Sequence, residues 1–385
     1  MGDAADAAEP PRANVNDNDD DEASQKPTVL LVLSSMRADD DTPEWRDVLS
    51  RFNVIHYDCA TVEEFCARLR QPDGGPYGRI DAILRTGWLK AGPYAQHALF
   101  RGEPITLLPP SLRFIGCSGH GYDAADIPAL SARGVAYANT PDTCTEAVAN
   151  TGLSLILNVY RKFTLAEHLA RQQQSGHSGW ADSRVVGEVA VDPCGQVLGV
   201  VGLGDIGLAA ARKAALALDM EIHYHNRRGP RPDLEAQLPR GATYHDSVAS
   251  LLQAADCVFL ACPLTPETHH MISAESLAAV AHKKIRIVNI ARGGLIDEDA
   301  LLDAMDSGQV VGVGLDVHAN EPGVNPRLAD NYNVTVLPHI GVASHTSWKR
   351  FDEVNLKNLI EFFFGDKNKV TLVNQDRLER IQNKE

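Results

Sequence analysis

GQVLGVVGLGDIGLAAARKAALAL, Gly195 to Leu218, is the stretch on which the reading of the fold turns. Its first part is a short apolar run, and its last part is alanine-rich with helical spacing. Between them Gly202, Gly204 and Gly207 frame Asp205 and Ile206 as GLGDIG. A strand that enters a helix through GxGxxG lets the backbone approach a pyrophosphate and offers it the N–H groups of the helix N-terminus. This stretch therefore predicts a dinucleotide site on a βαβ unit.

The same alternation continues on both sides. Downstream, MEIHYHNRR (220–228), DCVFLACP (256–263), KIRIVNIAR (284–292), VVGVGLDV (310–317) and NVTVLPH (333–339) read as strands. Upstream, TVLLVLSS (28–35), NVIHYD (53–58), IDAILRTG (80–87), LRFIGCSG (112–119) and VAYANTP (135–141) do the same. EWRDVLSRF (44–52), TVEEFCARLRQ (61–71) and IPALSARG (127–134) have helical spacing. A proline-free helical stretch, opened by a capping group, runs from Thr143 to about Gln174, before a Gly/Ser-rich loop (175–183). Near-continuous apolar strands separated by helices make parallel sheets covered on both faces. The expected fold class is α/β, with two doubly wound, Rossmann-like units joined by a long helix. Residues 344–366 form an amphipathic helix pattern with Trp348, Phe351, Val354, Leu359, Phe362 and Phe363, and nothing local says which unit it covers.

The chain has 385 residues, 44% hydrophobic and 23% charged, as in soluble globular proteins. A net charge of −15 argues against nucleic-acid and anionic-membrane partners, and no run approaches the length of a membrane span. Residues 1–27 carry eight acidic residues against Arg12 and Lys26, with no aromatic residue, and are expected to be a disordered acidic tail. They resemble neither a secretory signal nor a presequence, so the expected compartment is the cytoplasm. Seven scattered cysteines, none paired as CxxC, suggest neither a disulfide framework nor a metal site.

The strand after the glycine turn ends His225-Asn226-Arg227-Arg228 with no carboxylate for the adenosine ribose. Two arginines there would pair with a 2′-phosphate, so NADP is the expected cofactor, with NAD possible. Arg292, Asp316 and His339 stand at or just past three strand ends, with Glu321 in the loop after Asp316. Strand carboxyl ends are where doubly wound sheets bind ligands, so these residues can converge. The set suits hydride transfer to a 2-oxoacid. A guanidinium holds the substrate carboxylate and polarises the carbonyl, and an imidazole beside a carboxylate supplies the proton.

GLGDIG, PLTPETHHMI, NIARGGLIDEDAL, GLDVHANEP and LPHIG, in this order and spacing, resemble the D-isomer-specific 2-hydroxyacid dehydrogenases. The resemblance covers Thr28 to Val370. The DVHxxEP wording is most similar to fungal members related to D-mandelate dehydrogenase and glyoxylate/hydroxypyruvate reductase. It implies that Arg292 is the substrate arginine, Glu321 the acid and His339 the acid/base, and that Asp316 faces the nicotinamide carboxamide. Pro263, Thr268, Ile290, Ala291 and Gly341 fall on cofactor-binding motif positions. Thr86, Gly87 and Trp88 lie where the family offers backbone N–H groups to the substrate, and His120, Gly121 and Tyr122 lie in the neighbouring loop. The resemblance further implies a dinucleotide-binding domain (143–337) inserted into a substrate domain (28–142 and 338–385), to which the last long helix returns. It also implies a homodimer. Where NAD-preferring relatives carry an acid, either His225 or Asn226 takes the slot, and neither is a carboxylate.

Trp88, Leu89, Tyr94 and Tyr122 either wall an apolar pocket for a bulky aromatic or branched 2-oxoacid or are ordinary loop packing. Small oxoacids such as glyoxylate and hydroxypyruvate fit in both cases. The same family also contains transcriptional co-repressors, so the alternative is a dinucleotide-sensing protein-binding module. The short tail and the lack of a basic import cluster favour the enzyme.

Overall fold

The computed structural model describes residues 26–32, 42–71, 75, 77–87, 92–172 and 183–382. The acidic segment apart from Lys26 and Pro27, Trp88, Leu89 and most of the Gly/Ser-rich stretch lie outside the described residues.

Among the described residues, five short strands build the first sheet: β1 (Thr28–Val32), β2 (Asn53–His56), β3 (Ala82–Arg85), β4 (Phe114–Cys117) and β5 (Ala136–Ala138). They are parallel in the order β2-β1-β3-β4-β5. Seven more described strands build the second: β6 (Val197–Val201), β7 (Glu221–His225), β8 (Thr243–Tyr244), β9 (Cys257–Leu260), β10 (Ile285–Asn289), β11 (Val310–Leu315) and β12 (Val334–Val336). Their order is β12-β11-β10-β9-β6-β7-β8, again parallel. The central strands β3, β4, β9 and β10 are buried at every residue, because helices cover both faces. The second sheet's direction of growth reverses between β6 and β9, which puts the glycine turn at a topological switch point.

Local chemistry sets the helix ends. Thr42, Thr61 and Ser344 each accept a hydrogen bond from the backbone N–H three residues on, and Pro43 stands at the first helical position. The expected long helix departs from this pattern. It starts at Thr145, where the side chain of Cys144 at the cap position makes no capping bond to the helix, while the Thr143 hydroxyl donates to the Thr140 carbonyl. It is also broken in two, Thr145–Arg161 and Phe163–Gln172, by Lys162 in the left-handed conformation (φ 58°). Two side chains account for the break. Asn158 Oδ1 accepts the N–H and hydroxyl of Thr164, capping the second piece, and the Lys162 ammonium donates to the Val311 carbonyl. Val311 is the unpaired residue of a bulge, since Ile285 pairs with Val310 and Arg286 with Gly312.

The helix Thr145–Arg161 lies against β10 and β11 at close range. A Cβ on Gly152 would sit 2.7 Å from the Phe259 ring, and one on Gly312 would sit 2.8 Å from the Val159 carbonyl. Helix Ser183–Val189, at the edge of the Gly/Ser-rich stretch, and the two-residue β8 have no counterpart in the sequence pattern.

Among the described residues the chain passes between the sheets twice, over residues 139–144 and 337–344. After the second passage comes the 20-residue helix His345–Phe364. Its Phe351 joins the core around Tyr160 and Phe259, while Leu356 and Leu359 join Val29, Leu84 and Phe114. It therefore spans both units, and beyond it Asn374 accepts the Tyr137 N–H at the edge of the first sheet. Among the described residues no helix is long and apolar enough to cross a membrane.

Candidate active site

The glycine turn has the shape that its sequence predicts. Gly202 adopts φ 99°, and a Cβ there would meet the Ala261 and Cys262 backbone at 2.9–3.0 Å. A Cβ on Gly207 would lie 2.1 Å from the Gly202 carbonyl, so only glycine lets the helix Asp205–Ala217 begin against the strand. Around Gly204 the space is open, and the helix cap position makes no side-chain bond. An uncapped helix start beneath an open cradle fits a pyrophosphate.

Asn226 serves this turn directly. Its Oδ1 accepts from the Leu203 N–H (2.7 Å) and its Nδ2 donates to the Leu203 carbonyl (3.3 Å). The side chain thus pins the glycine loop. Arg227 and Arg228 are exposed beyond it, and Arg227 lies 3.8 Å from Glu267. That contact faces the loop in which the Thr268 hydroxyl donates to the Pro263 carbonyl.

At the other end of the cleft a cavity of about 240 Å³ opens between the units. His339 Nδ1 lies 2.7 Å from Glu321 Oε2. A carboxylate only accepts, so Nδ1 carries the proton of this bond and Nε2 is left for the cavity. Glu321 is itself fixed, since Oε1 accepts the His318 N–H (3.1 Å). Glu298 steadies the same loop by accepting from the Ala319 N–H (3.0 Å).

His339 has φ 55°, a conformation that costs a non-glycine residue about 1–2 kcal/mol. Asp316 holds it there: its two oxygens accept the N–H groups of Ile340 and Gly341, each at 2.8 Å. Two such charge-assisted bonds outweigh the strain at about 1.5–3 kcal/mol each. Burial pushes the Asp316 carboxyl up, and the same two N–H groups oppose that shift. The buried His318 donates from Nε2 to the Leu337 carbonyl (2.9 Å), tying the end of β11 to the approach of His339.

Arg292 follows β10 in a turn shaped by the buried Asn289, which donates to the Arg292 carbonyl and accepts the Ala291 N–H. Its guanidinium reaches across the cleft to Asp123, with Nε at 3.0–3.1 Å from both oxygens and Nη2 at 2.8 Å from Oδ1. Burial works against its charge, and the Asp123 carboxylate more than offsets this, holding the guanidinium above its ordinary range.

The cavity thus brings together Arg292, Glu321, His339, Asp316, Ile206, Ile290, Gly341, His120 and Gly121. Gly202, Gly204, Asp205, Gly207, Asn226, Arg227, Arg228, Pro263, Thr268 and Ala291 lie outside its lining. The substrate-loop expectations fare less evenly. Thr86 is buried with its carbonyl on the Ser118 hydroxyl, and the Gly87 carbonyl accepts from Arg85. Tyr94 packs edge-on to Tyr57 inside the first core, and Tyr122 is 43% exposed, so neither walls the cavity. Unforeseen lining residues include Asp123, Arg85, Gln96, His97 and Ser118. Of these, Arg85 carried a readable signal, a charge at the buried end of an apolar strand.

Comparison with known proteins gives this arrangement relatives. Residues 153–341 match the family described as D-isomer specific 2-hydroxyacid dehydrogenase, NAD binding domain. The chain is 35% identical to 4-methyl-2-oxopentanoate reductase A of Aspergillus oryzae over 335 residues, covering 86% of this chain and 94% of that one. Holo D-mandelate dehydrogenase of Rhodotorula graminis superposes with a TM-score of 0.82 at 33% identity, over 91% of this chain and 98% of its own. The NADPH-dependent glyoxylate/hydroxypyruvate reductase of Sinorhizobium meliloti, solved with NADP and malonate, gives 0.69 at 29% identity over 91% and 97%. Sheet order, glycine turn and relatives agree, and the chain is an oxidoreductase belonging to the D-isomer-specific 2-hydroxyacid dehydrogenase family.

Proposed function

We propose that this protein reduces a short, polar 2-oxoacid, of the glyoxylate or hydroxypyruvate type, to the D-2-hydroxyacid with NADPH. The observation that carries the reading is the presence of Arg292 and the His339–Glu321 pair in one cavity. Arg292 binds the oxoacid through its remaining N–H groups and draws charge from the carbonyl. His339 gives the carbonyl oxygen a proton from Nε2, and Glu321 stabilises the protonated ring. Reduced nicotinamide, when bound, supplies the hydride to the carbonyl carbon. Gly202 to Gly207 would hold its pyrophosphate.

The wall contributed by the first unit supports a polar substituent. Arg85, Gln96, His97, Ser118 and His120 line it, whereas the apolar lining, Val148, Ile206, Ile290 and Phe351, comes from the connecting and last long helices and the second unit. A phenyl group would set an apolar face against these polar side chains, whereas a hydroxymethyl or hydrogen substituent would not. NADPH is supported by Arg227 and Arg228 beyond a residue 226 that is no acid. A homodimer is supported by the apolar strip around the helix Phe163–Gln172, which buries none of its own residues. Phe163, Val185, Val189, Val191 and Tyr332 are each at least 41% exposed.

The test is loss of nicotinamide absorbance with NADPH and NADH in parallel, against glyoxylate, hydroxypyruvate and phenylglyoxylate. Faster turnover with NADPH and the small oxoacids is expected. Arg227→Ala/Arg228→Ala should raise the KM for NADPH about tenfold or more and leave that for NADH unchanged. Tight NADPH binding without turnover of any oxoacid would favour the protein-binding module instead.

A further inference from the structure

The Asp123–Arg292 pair has no part in the proton and hydride transfers, yet it is the most extensive side-chain contact of the substrate arginine. Asp123 lies on the loop after β4 in the first unit, and Arg292 on the loop after β10 in the second, 169 residues apart. A guanidinium has five N–H groups. Here Nε and one N–H of Nη2 go to Asp123, and one N–H of Nη1 goes to the Ala291 carbonyl at 2.7 Å. One N–H remains on each terminal nitrogen, enough for the two oxygens of a carboxylate or for one carboxylate and one carbonyl oxygen.

The loop opposite is shaped to permit this contact. A Cβ on Gly121 would fall 1.8 Å from Arg292 Nη2, so any other residue there would push the guanidinium aside. Gly121 has no positive φ, so close approach is what calls for glycine here.

We propose that Asp123 is the positioning residue of Arg292, holding the Nε side of the guanidinium from across the cleft so that its free N–H groups align on the substrate only when the cleft is closed. The proposal rests on the reductase reading for its substrate. It makes closure a condition of oxoacid binding, because without Asp123 the guanidinium keeps one side-chain hydrogen bond, to the Ala291 carbonyl. The ion pair also lowers the net positive charge that an approaching anion meets, so anions that cannot match the fork gain little.

A double-mutant cycle tests it. Asp123→Ala should lower kcat/KM for the oxoacid about 30-fold, within the range of a lost charge-assisted pair, with NADPH affinity unchanged. In an Arg292→Lys background the same change should cost less than about threefold, because the group that it positions is gone. Asp123→Glu should recover part of the loss. Gly121→Ala, which displaces Nη2 while keeping the carboxylate, should reproduce the defect. Equal losses in both backgrounds, or no loss from Asp123→Ala, would overturn the proposal. Oxalate binding to the NADPH complex, followed by nicotinamide fluorescence, separates this claim from the reductase reading. Oxalate binding weakened tenfold by Asp123→Ala in a protein that turns over no oxoacid would sustain the positioning role and sink the reductase. Unchanged oxalate binding in an active enzyme would do the reverse.

Discussion

Lys162 gives a prediction whose size follows from its surroundings. Its ammonium is buried, 3% exposed, at the break between the two connecting helices, where it donates to the bulge carbonyl of Val311. Nearby Arg286 lies 4.2 Å over the Tyr160 ring, so the neighbouring charge is also positive. Burial first, and then the charge of Arg286, bring the Lys162 pKa down from 10.5 to about 8. Below pH 8 the amine is protonated in folded and unfolded chains alike, and the folded state bears the whole cost of the buried charge. Between pH 8 and 10.5 the folded chain releases its proton first, so the unfolded chain binds more protons and stability rises with pH. The full shift corresponds to roughly 3 kcal/mol, of which about 2 falls between pH 8 and pH 10. Buried thiols such as Cys257, raised to about 12, act with the opposite sign at high pH, so the comparison must be with a variant. Lys162→Met removes the charge and keeps the volume. Urea unfolding of both proteins at pH 7, 8, 9 and 10 should show the stability of the variant relative to wild type falling by about 2 kcal/mol from pH 8 to pH 10. A difference constant to within about 0.5 kcal/mol would refute the argument, and with it the view that the helix break carries a buried cation.

Other perturbations reach the site and its scaffold. Glu321→Gln should lower kcat about 10- to 100-fold while leaving NADPH binding intact, because His339 loses a charge-assisted partner at 2.7 Å; stopped-flow turnover and cofactor fluorescence would check it. Asn226→Asp should cut the NADPH-over-NADH ratio of kcat/KM about tenfold or more, since a carboxylate at that position repels a 2′-phosphate and loses its donor to the Leu203 carbonyl. Gly152→Ala should lower the thermal midpoint, at a cost of about 1–3 kcal/mol, as its Cβ meets the Phe259 ring at 2.7 Å.

The sequence carries those features that depend on periodicity or on a motif at a strand end. β6 and its glycine turn, the two parallel sheets, and the placing of Arg292, Glu321 and His339 in one cleft are of this kind. The features it hides depend on contacts between distant segments. Nothing near Asp123 announces a partner 169 residues away, and Tyr94 reads equally as a pocket wall or as loop packing until Tyr57 is found beside it. Asn226 looks like an absent acid, whereas its amide bonds both polar groups of Leu203. Lys162 sits in a helical pattern that periodicity cannot interrupt, because the bulge at Val311 that draws it in is 149 residues downstream.

The two passages of the chain between its sheets have a mechanical consequence. Any swing of one unit against the other must turn about an axis close to both crossings, since these are the covalent links that cannot slide. A rotating body displaces each atom in proportion to its lever arm, and His339 stands within the second crossing, at 337–344. On the proposed reading, His339 would stay nearly stationary while the contact between Asp123 and Arg292 forms and parts, with Glu321 as its partner at 2.7 Å. Closing would then act as a clutch on the substrate and leave the acid in gear.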